Sequence, residues 1–226
     1  MTKPVMFEFF SGSGRMADAF SKIGFETFTV DNAYRPEVVN SHFSLDVLKI
    51  SKKEILLITN NRAPSVMWFG TPCTGFSVAS LGTHWGGGFR AYVPITETAL
   101  LGISLAKKCL EIISWFPGCV WGIENPRGVL RKMPFMPNHF LQTVTFCSYE
   151  DKRMKPTDVW TNSLWVGRLK CKNNNVLCSH ERAPRGSKTG TQGLKGSYDR
   201  AVYPLSFCKE FASCYSFINK EEGVKQ

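Results

Sequence analysis

The sequence predicts an α/β protein: a mostly parallel sheet with helices on both faces. Three observations lead there. Segments of strand and helix character alternate through the first two-thirds of the chain. The strand runs are apolar without clean alternation, as expected where both faces of a sheet are covered. Residues able to do chemistry recur just past the ends of those runs, where open parallel sheets place their ligands.

The elements follow in order. "VMFEFF" (5–10) is an apolar run closed by "SGSG", and "RMADAFSKIG" carries apolar residues at helical spacing and stops at Gly24, so the opening reads strand, glycine turn, helix. "FETFTVDN" is a second strand ending at Asp31, and "FSLDVLKI" puts Asp46 in a turn before a short helix. "SVMWFG" (65–70) is a buried strand. "ITETALLGISLAKKCLEIISWF" is a long helix with Thr96 or Thr98 near its start. "CVWGIEN" is a further buried strand ending at Glu124, and "QTVTFCSY" and "PTDVWTN" form a hairpin. The main unit is thus residues 1–162. Residues 163–195, rich in Asn, Gly, Ser, Lys and Arg, form a small loop-rich insert, and residues 196–226 return to helical spacing and pack back on the core.

With 226 residues, 43% of them hydrophobic and 17 of them Phe, the chain can fill one well-packed core. No window approaches the ~18 apolar residues of a membrane span, and the N-terminus lacks a signal peptide's apolar stretch, so a cytoplasmic location and no membrane partner are expected. A monomer is the default. The net charge of +10 is gathered in "RGVLRK", "DKRMK" and "ERAPRGSKTGTQGLKG", which favours a nucleic-acid partner over a merely basic surface. Eight cysteines with no export signal are read as reduced thiols, each a core filler, a metal ligand or a nucleophile.

Six stretches carry the candidate chemistry and contacts. In "FFSGSGRMADAF", the turn through Phe10, Ser11, Gly12, Ser13 and Gly14 lets backbone approach a ligand. Asp31 beside Asn32 suits a ribose, and Asp46 an adenine amino group; together they suggest an adenosine-containing cofactor. In "GTPCTGFS", Cys73 follows the stiff Pro72 at a strand end and faces a cleft, a setting for a thiolate of lowered pKa. In "LGTHWGGGFRAY", Gly86, Gly87 and Gly88 suggest a hinged flap bearing Trp85. In "WGIENPRG", Glu124 ends another buried strand, where a partly dry pocket raises a carboxyl's pKa and lets it donate a proton. The insert holds "CKNNNVLCSH", in which Cys171, Cys178 and His180 are three possible zinc ligands, with Cys147 or another residue as a fourth. In "APRGSKTGTQG", Arg185 and Lys188 suit phosphate or groove contact.

"FFSGSG", "GTPCTGFSVAS", "IENPRG" and "DKRMK" stand in the order and at about the spacing found in the cytosine-5 DNA methyltransferases, which the chain resembles over residues 5–162; its compact size is like that of phage or prophage members. The resemblance implies the Rossmann-like fold of S-adenosylmethionine-dependent methyltransferases, with a seven-stranded sheet. It implies S-adenosylmethionine held by Phe10, Ser11, Gly12, Ser13, Gly14, Asp31, Asn32, Asp46 and Pro72. Double-stranded DNA is the implied partner, with Thr74, Ser77, Trp85, Arg127, Arg185 and Lys188 against it and residues 163–195 as the recognition insert. Cys73 would attack ring carbon 6 of a flipped-out cytosine while Glu124 protonates ring nitrogen 3. Where the family has a Gln-x-Arg-x-Arg motif holding the base, this chain has Asp151-Lys152-Arg153-Met154-Lys155, so Arg153 and Lys155 join the catalytic set. Thr74 stands at the family's Gln, and Arg15 follows Gly14 where the family continues with glycine. The same chemistry on RNA or a free nucleotide is the alternative enzyme, and a silent nucleic-acid binder the alternative of another class.

Overall fold

The computed structural model describes residues 2–32, 41–78, 81–88, 91–172, 178, 180 and 196–215. Seven strands form one sheet: β1 (Val5–Phe9), β2 (Glu26–Asp31), β3 (Ser41–Ser44), β4 (Val66–Gly70), β7 (Val120–Pro126), β8 (Leu141–Thr145) and β9 (Pro156–Thr161). They lie in the order β3-β2-β1-β4-β7-β9-β8. The pairs from β3 through β7 are parallel, and β9 runs antiparallel to both β7 and β8. A two-stranded ribbon, β5 (Trp85–Gly86) with β6 (Val93–Pro94), stands apart.

Both faces are covered, which is why the strands read as unbroken apolar runs. Alternate side chains enter different cores. Phe7, Phe9, Met67, Phe69 and Ile123 meet the helix α4 (Glu97–Ser114) through Ala99, Ala106, Cys109 and Ile112. Met6, Val66, Trp68 and Val159 meet α1 (Arg15–Ser21) and α6 (Leu205–Ser213), with Phe207 and Phe211 set edge-on to the Trp68 indole. The C-terminal helix thus covers a face of the central strands. Local signals fix the helix starts. Thr96 caps α4 by accepting from the Ala99 N–H, and Ser51 with Glu54 forms a reciprocal capping box on α2 (Lys52–Ile58). The turn before α1 holds Gly12 and Gly14 at φ 49° and 66°.

Some elements differ from the expectations. Strand one ends at Phe9, because Phe10 takes φ 54° and opens the turn. The short edge strand β3 escapes the periodicity; its ladder with β2 comes from tertiary pairing. The hairpin's first arm stops at Thr145, and Phe146–Tyr149 is a 3-10 turn that buries Phe146 and Tyr149 in the second core. The expected flap is a short helix α3 (Leu81–His84) followed by the ribbon. Trp85 is buried there, stacked on Phe76, with its indole N–H donating to the Gly75 carbonyl. Its ring therefore supports the Cys73 loop from inside and presents no face to a partner.

One buried charge-bearing group lies under the glycine turn. Glu8 on β1 is fully enclosed, its Oε2 accepting the Ala17 N–H at 2.8 Å and its Oε1 unpartnered. Burial pushes its carboxyl from 4.5 up to about 8, against the pull of the Ala17 and Met16 N–H groups. The native state therefore keeps a proton that the unfolded chain loses near pH 4.5, and this contribution to stability is lost as pH rises toward 8. Glu8→Gln should melt like the parent at pH 4.5 and be more stable at pH 8.5, by a few kcal/mol. Thermal melts of both chains across that range check this; parallel curves would rule it out.

Candidate active site

The carboxyl ends of β1, β2, β4 and β7 open on one cleft of about 640 Å³, a size suited to a small-molecule ligand. One half is lined by Phe10, Ser11, Gly12, Ser13, Asp31, Asn32 and Asp46; the other by Pro72, Cys73, Thr74, Glu124, Lys155 and Tyr203. Gly14 is not in the wall; it caps α1 with a left-handed backbone.

In the first half the glycine turn is tied to the end of β2, since the Gly12 N–H donates to Asp31 Oδ2 at 3.0 Å. Space beside Gly12 is open, with nothing within 4 Å of where a Cβ would stand. Ser11 Oγ is buried without a hydrogen-bond partner, and Asp46 Oδ1 orders its own turn by accepting from Leu48 N. An unpaired hydroxyl, two carboxylates and an open glycine turn along one wall fit the ribose and adenine edges of a nucleoside-type cofactor such as S-adenosylmethionine.

In the second half, β4 and β7 are pinned side by side. Thr71 donates to the Glu124 carbonyl through both N–H (3.2 Å) and Oγ1 (2.8 Å), and Asn125 Nδ2 donates back to Thr71 O and Oγ1 at 3.1 and 3.0 Å. The Cys73 carbonyl accepts the N–H groups of Phe76 and Ser77, and Val129 N–H donates to Phe76 O, so the "ENPRG" segment braces the Cys73 turn. Cys73 and Thr74 are exposed on this turn, and Ser77 is half-buried and bridged to Gly128.

Glu124 is 4% exposed. Its Oε2 accepts the Tyr203 hydroxyl at 3.1 Å, Lys155 Nζ lies 3.9 Å from Oε1, and Oε1 has no hydrogen-bond partner. Burial raises the Glu124 carboxyl, with Lys155 and Tyr203 pulling it down. Burial likewise lowers the Lys155 ammonium, with Glu124 and Cys73 pulling it up. Burial thus disfavours the charged form of each, and each favours the charged form of the other. The Cys73 thiol is pushed up by desolvation more than Lys155 pulls it down. This reverses the lowered pKa expected from sequence: neighbouring groups crowd the thiol although the residue stands exposed on its turn, and one buried lysine only partly offsets that. Lys155 itself adopts φ 27°, a left-handed backbone rare for a side-chain-bearing residue, as the chain turns it inward.

Arg153 occupies a different place from the one its motif suggested. It is 6% exposed and outside the cleft wall. Its guanidinium binds Asp151 Oδ1 and Oδ2 and the carbonyls of Asp199, Arg200 and Val202. Asp151, standing at the family's Gln, supplies the anion that holds it. Arg15, standing where the family has glycine, donates Nη1 to the Tyr203 carbonyl at 2.6 Å. Two arginines thus clamp residues 199–203 and seat Tyr203 against Glu124. Gly70 is required for this approach, because a Cβ there would run into the Tyr203 hydroxyl. Thr71, Asn125 and Tyr203 were missed in the sequence. Thr71 and Asn125 lie inside quoted motifs, whereas Tyr203 is 79 residues from its partner Glu124, in a stretch, Arg200 to Pro204, that matches the family's C-terminal cofactor segment only loosely.

Arg127 is exposed on the rim, sharing a shallow depression with Val78, Arg131 and Lys132. Arg185 and Lys188 lie outside the described residues. Cys171, Cys178 and His180 are brought together, away from the cleft, with Cys147. No helix among the described residues is long and apolar enough to cross a membrane.

A seven-stranded sheet of this order, with one reversed strand and a glycine turn at the ligand end, defines the fold of the S-adenosylmethionine-dependent methyltransferases. No protein-family model matches the chain. It is 25% identical over 207 residues to the probable DNA (cytosine-5)-methyltransferase of Frog virus 3, covering 87% of this chain and 92% of that one. Among solved structures, it matches a prophage-encoded E. coli protein assigned to the DNA modification methyltransferases, with TM-score 0.51 and 15% identity, over 70% of this chain and 46% of that one. A mutant of Spodoptera frugiperda DNMT2 matches at TM-score 0.42 and 13% identity, over 75% and 56% of the two chains. The chain thus spans about half the length of the solved structures it matches. Its fold is that of the methyltransferases, and in sequence it is similar to the Frog virus 3 protein.

Proposed function

We propose that the protein transfers a methyl group from S-adenosylmethionine to carbon 5 of cytosine in double-stranded DNA. The observation that carries this is the second half of the cleft: an exposed Cys73 beside a buried Glu124 whose Oε1 has no hydrogen-bond partner, with Lys155 between them in charge. A soft nucleophile and a carboxyl of raised pKa suit a pyrimidine ring attacked at carbon 6 while nitrogen 3 is protonated.

The steps follow. The cytosine leaves the stack and enters the cleft, its nitrogen 3 against Glu124. Cys73 gives up its proton to solvent, and Sγ bonds to carbon 6. Glu124 delivers a proton to nitrogen 3, so the ring's electrons gather at carbon 5. Ser11, Asp31 and Asp46 would hold S-adenosylmethionine, from whose sulfonium carbon 5 would take the methyl group, leaving S-adenosylhomocysteine. The carbon 5 proton is then lost to solvent, the carbon 6–sulfur bond breaks, and Glu124 recovers its proton. Lys155 stabilises charge on Cys73 and Glu124 in turn, and Tyr203 holds the Glu124 carboxyl in orientation. We assign Thr74, Ser77 and Arg127 to the DNA strand, and the basic residues of the insert to its phosphates.

The test is made on DNA from cells that express the protein and lack this modification. Digestion to nucleosides and mass spectrometry should show 5-methylcytosine. Soluble, folded protein that leaves DNA cytosine unmodified but modifies RNA or free nucleotides would reassign the substrate.

Tyr203→Phe should keep the fold and cofactor binding and lower kcat on the order of tenfold, because Glu124 Oε2 loses its donor while the ring packing on Trp68 persists. Steady-state kinetics check it, and an unchanged kcat would remove Tyr203 from the positioning of Glu124.

A further inference from the structure

We propose a structural zinc site formed by Cys147, Cys171, Cys178 and His180. Three thiol sulfurs and one imidazole nitrogen lie within 4.8 Å of one another. His180 Nδ1 is 3.0 Å from Cys178 Sγ and 3.8 Å from Cys171 Sγ, and all three cysteines are free thiols. Zinc with sulfur at about 2.3 Å and nitrogen at about 2.0 Å has tetrahedral edges of roughly 3.4–3.8 Å, so shifts on the order of 1 Å close the four groups around an ion. Three thiolates and an imidazole select a soft, tetrahedral ion. Four protein ligands leave no open position, which makes the site a staple and not a reaction centre.

The ligands come from two parts of the chain that need joining. Cys147 lies in the 3-10 turn after β8; the other three follow in the insert. Among the insert's described residues, Leu164, Val166 and Leu169 are among the most exposed apolar side chains. Its first residues are laid against the Cys147 turn by hydrogen bonds, Cys171 N–H to Thr145 Oγ1, Ser148 Oγ to Leu169 O and Arg168 Nη1 to Ser148 O. A metal at the end of this run would anchor the later residues, Cys178 and His180, to the same turn. A segment too small to bury an apolar core is commonly held this way. The turn leads directly into Asp151, Arg153 and Lys155, so the staple ties the insert to the segment that positions the cleft. The site stands or falls independently of the substrate.

The test uses the full chain without a polyhistidine tag, produced with zinc and dialysed under reducing conditions. Elemental analysis should find about one zinc per chain. Replacing zinc by cobalt(II) should give thiolate-to-cobalt charge transfer and the visible bands of a tetrahedral ion. Adding zinc to the metal-free protein should release up to three protons from the thiols. Cys147→Ser and His180→Ala should each lose the metal, His180→Cys should keep it, and Cys214→Ser, on α6, should bind as the parent does. Should the single variants fail to fold, the cobalt spectrum and proton count of the parent decide. Folded parent protein that takes up no stoichiometric zinc or cobalt would overturn the proposal, as would full zinc occupancy in a Cys147→Ser, Cys178→Ser double variant.

Discussion

Cys73→Ala is expected to abolish 5-methylcytosine formation, a loss of at least ~10⁴-fold, while leaving the fold and the uptake of S-adenosylmethionine intact. The size of the effect follows from chemistry. Carbon 5 of cytosine is a weak nucleophile until carbon 6 carries a bond to sulfur, and no other described thiol reaches the cleft: Cys109, Cys119 and Cys208 are buried in the cores. The fold should tolerate the change because the Cys73 turn is held by its backbone and by Thr71, Asn125 and Val129. A covalent readout sharpens the test. DNA carrying 5-fluorocytosine cannot lose its carbon 5 substituent as a proton, so elimination stalls and the parent protein should remain attached through Cys73. Peptide mapping of a denaturant-stable complex would show it. Methylation by the alanine variant, or attachment at another cysteine, would end the assignment.

Glu124→Gln is expected to slow methyl transfer by ~10²–10⁴-fold, the range for one positioned acid. A glutamine amide can donate a hydrogen bond to ring nitrogen 3 but cannot deliver a proton. The substitution also removes the anion facing the buried Lys155, whose ammonium should then lose its proton more readily. Single-turnover kinetics on DNA check the loss, with uptake of S-adenosylmethionine by the variant as the control for an intact fold. A near-normal rate would remove Glu124 from the chemistry.

Much of this is written locally in the chain. Unbroken apolar runs, glycine punctuation and the Thr96 and Ser51 caps specify a two-faced parallel sheet, because each rests on contacts within a few residues. The strand-end positions of Cys73 and Glu124 are legible for the same reason. The sheet's geometry then determines that two strand ends must share a cleft. The environment of those groups was not legible. The raised pKa of Cys73, the burial of Trp85 behind the cysteine turn, and the clamp by which Arg15 and Arg153 seat Tyr203 all depend on residues far apart in sequence. The same holds for the four metal-type ligands. Three were suggested by their closeness in the chain, but only the hairpin turn brings Cys147 to them from 24 residues before Cys171. The sequence by itself determined the strands, the turn and the reactive residue types. Desolvation, partner choice and the orientation of each charge were decided by the tertiary structure, because they depend on what is packed against a group and not on what precedes it.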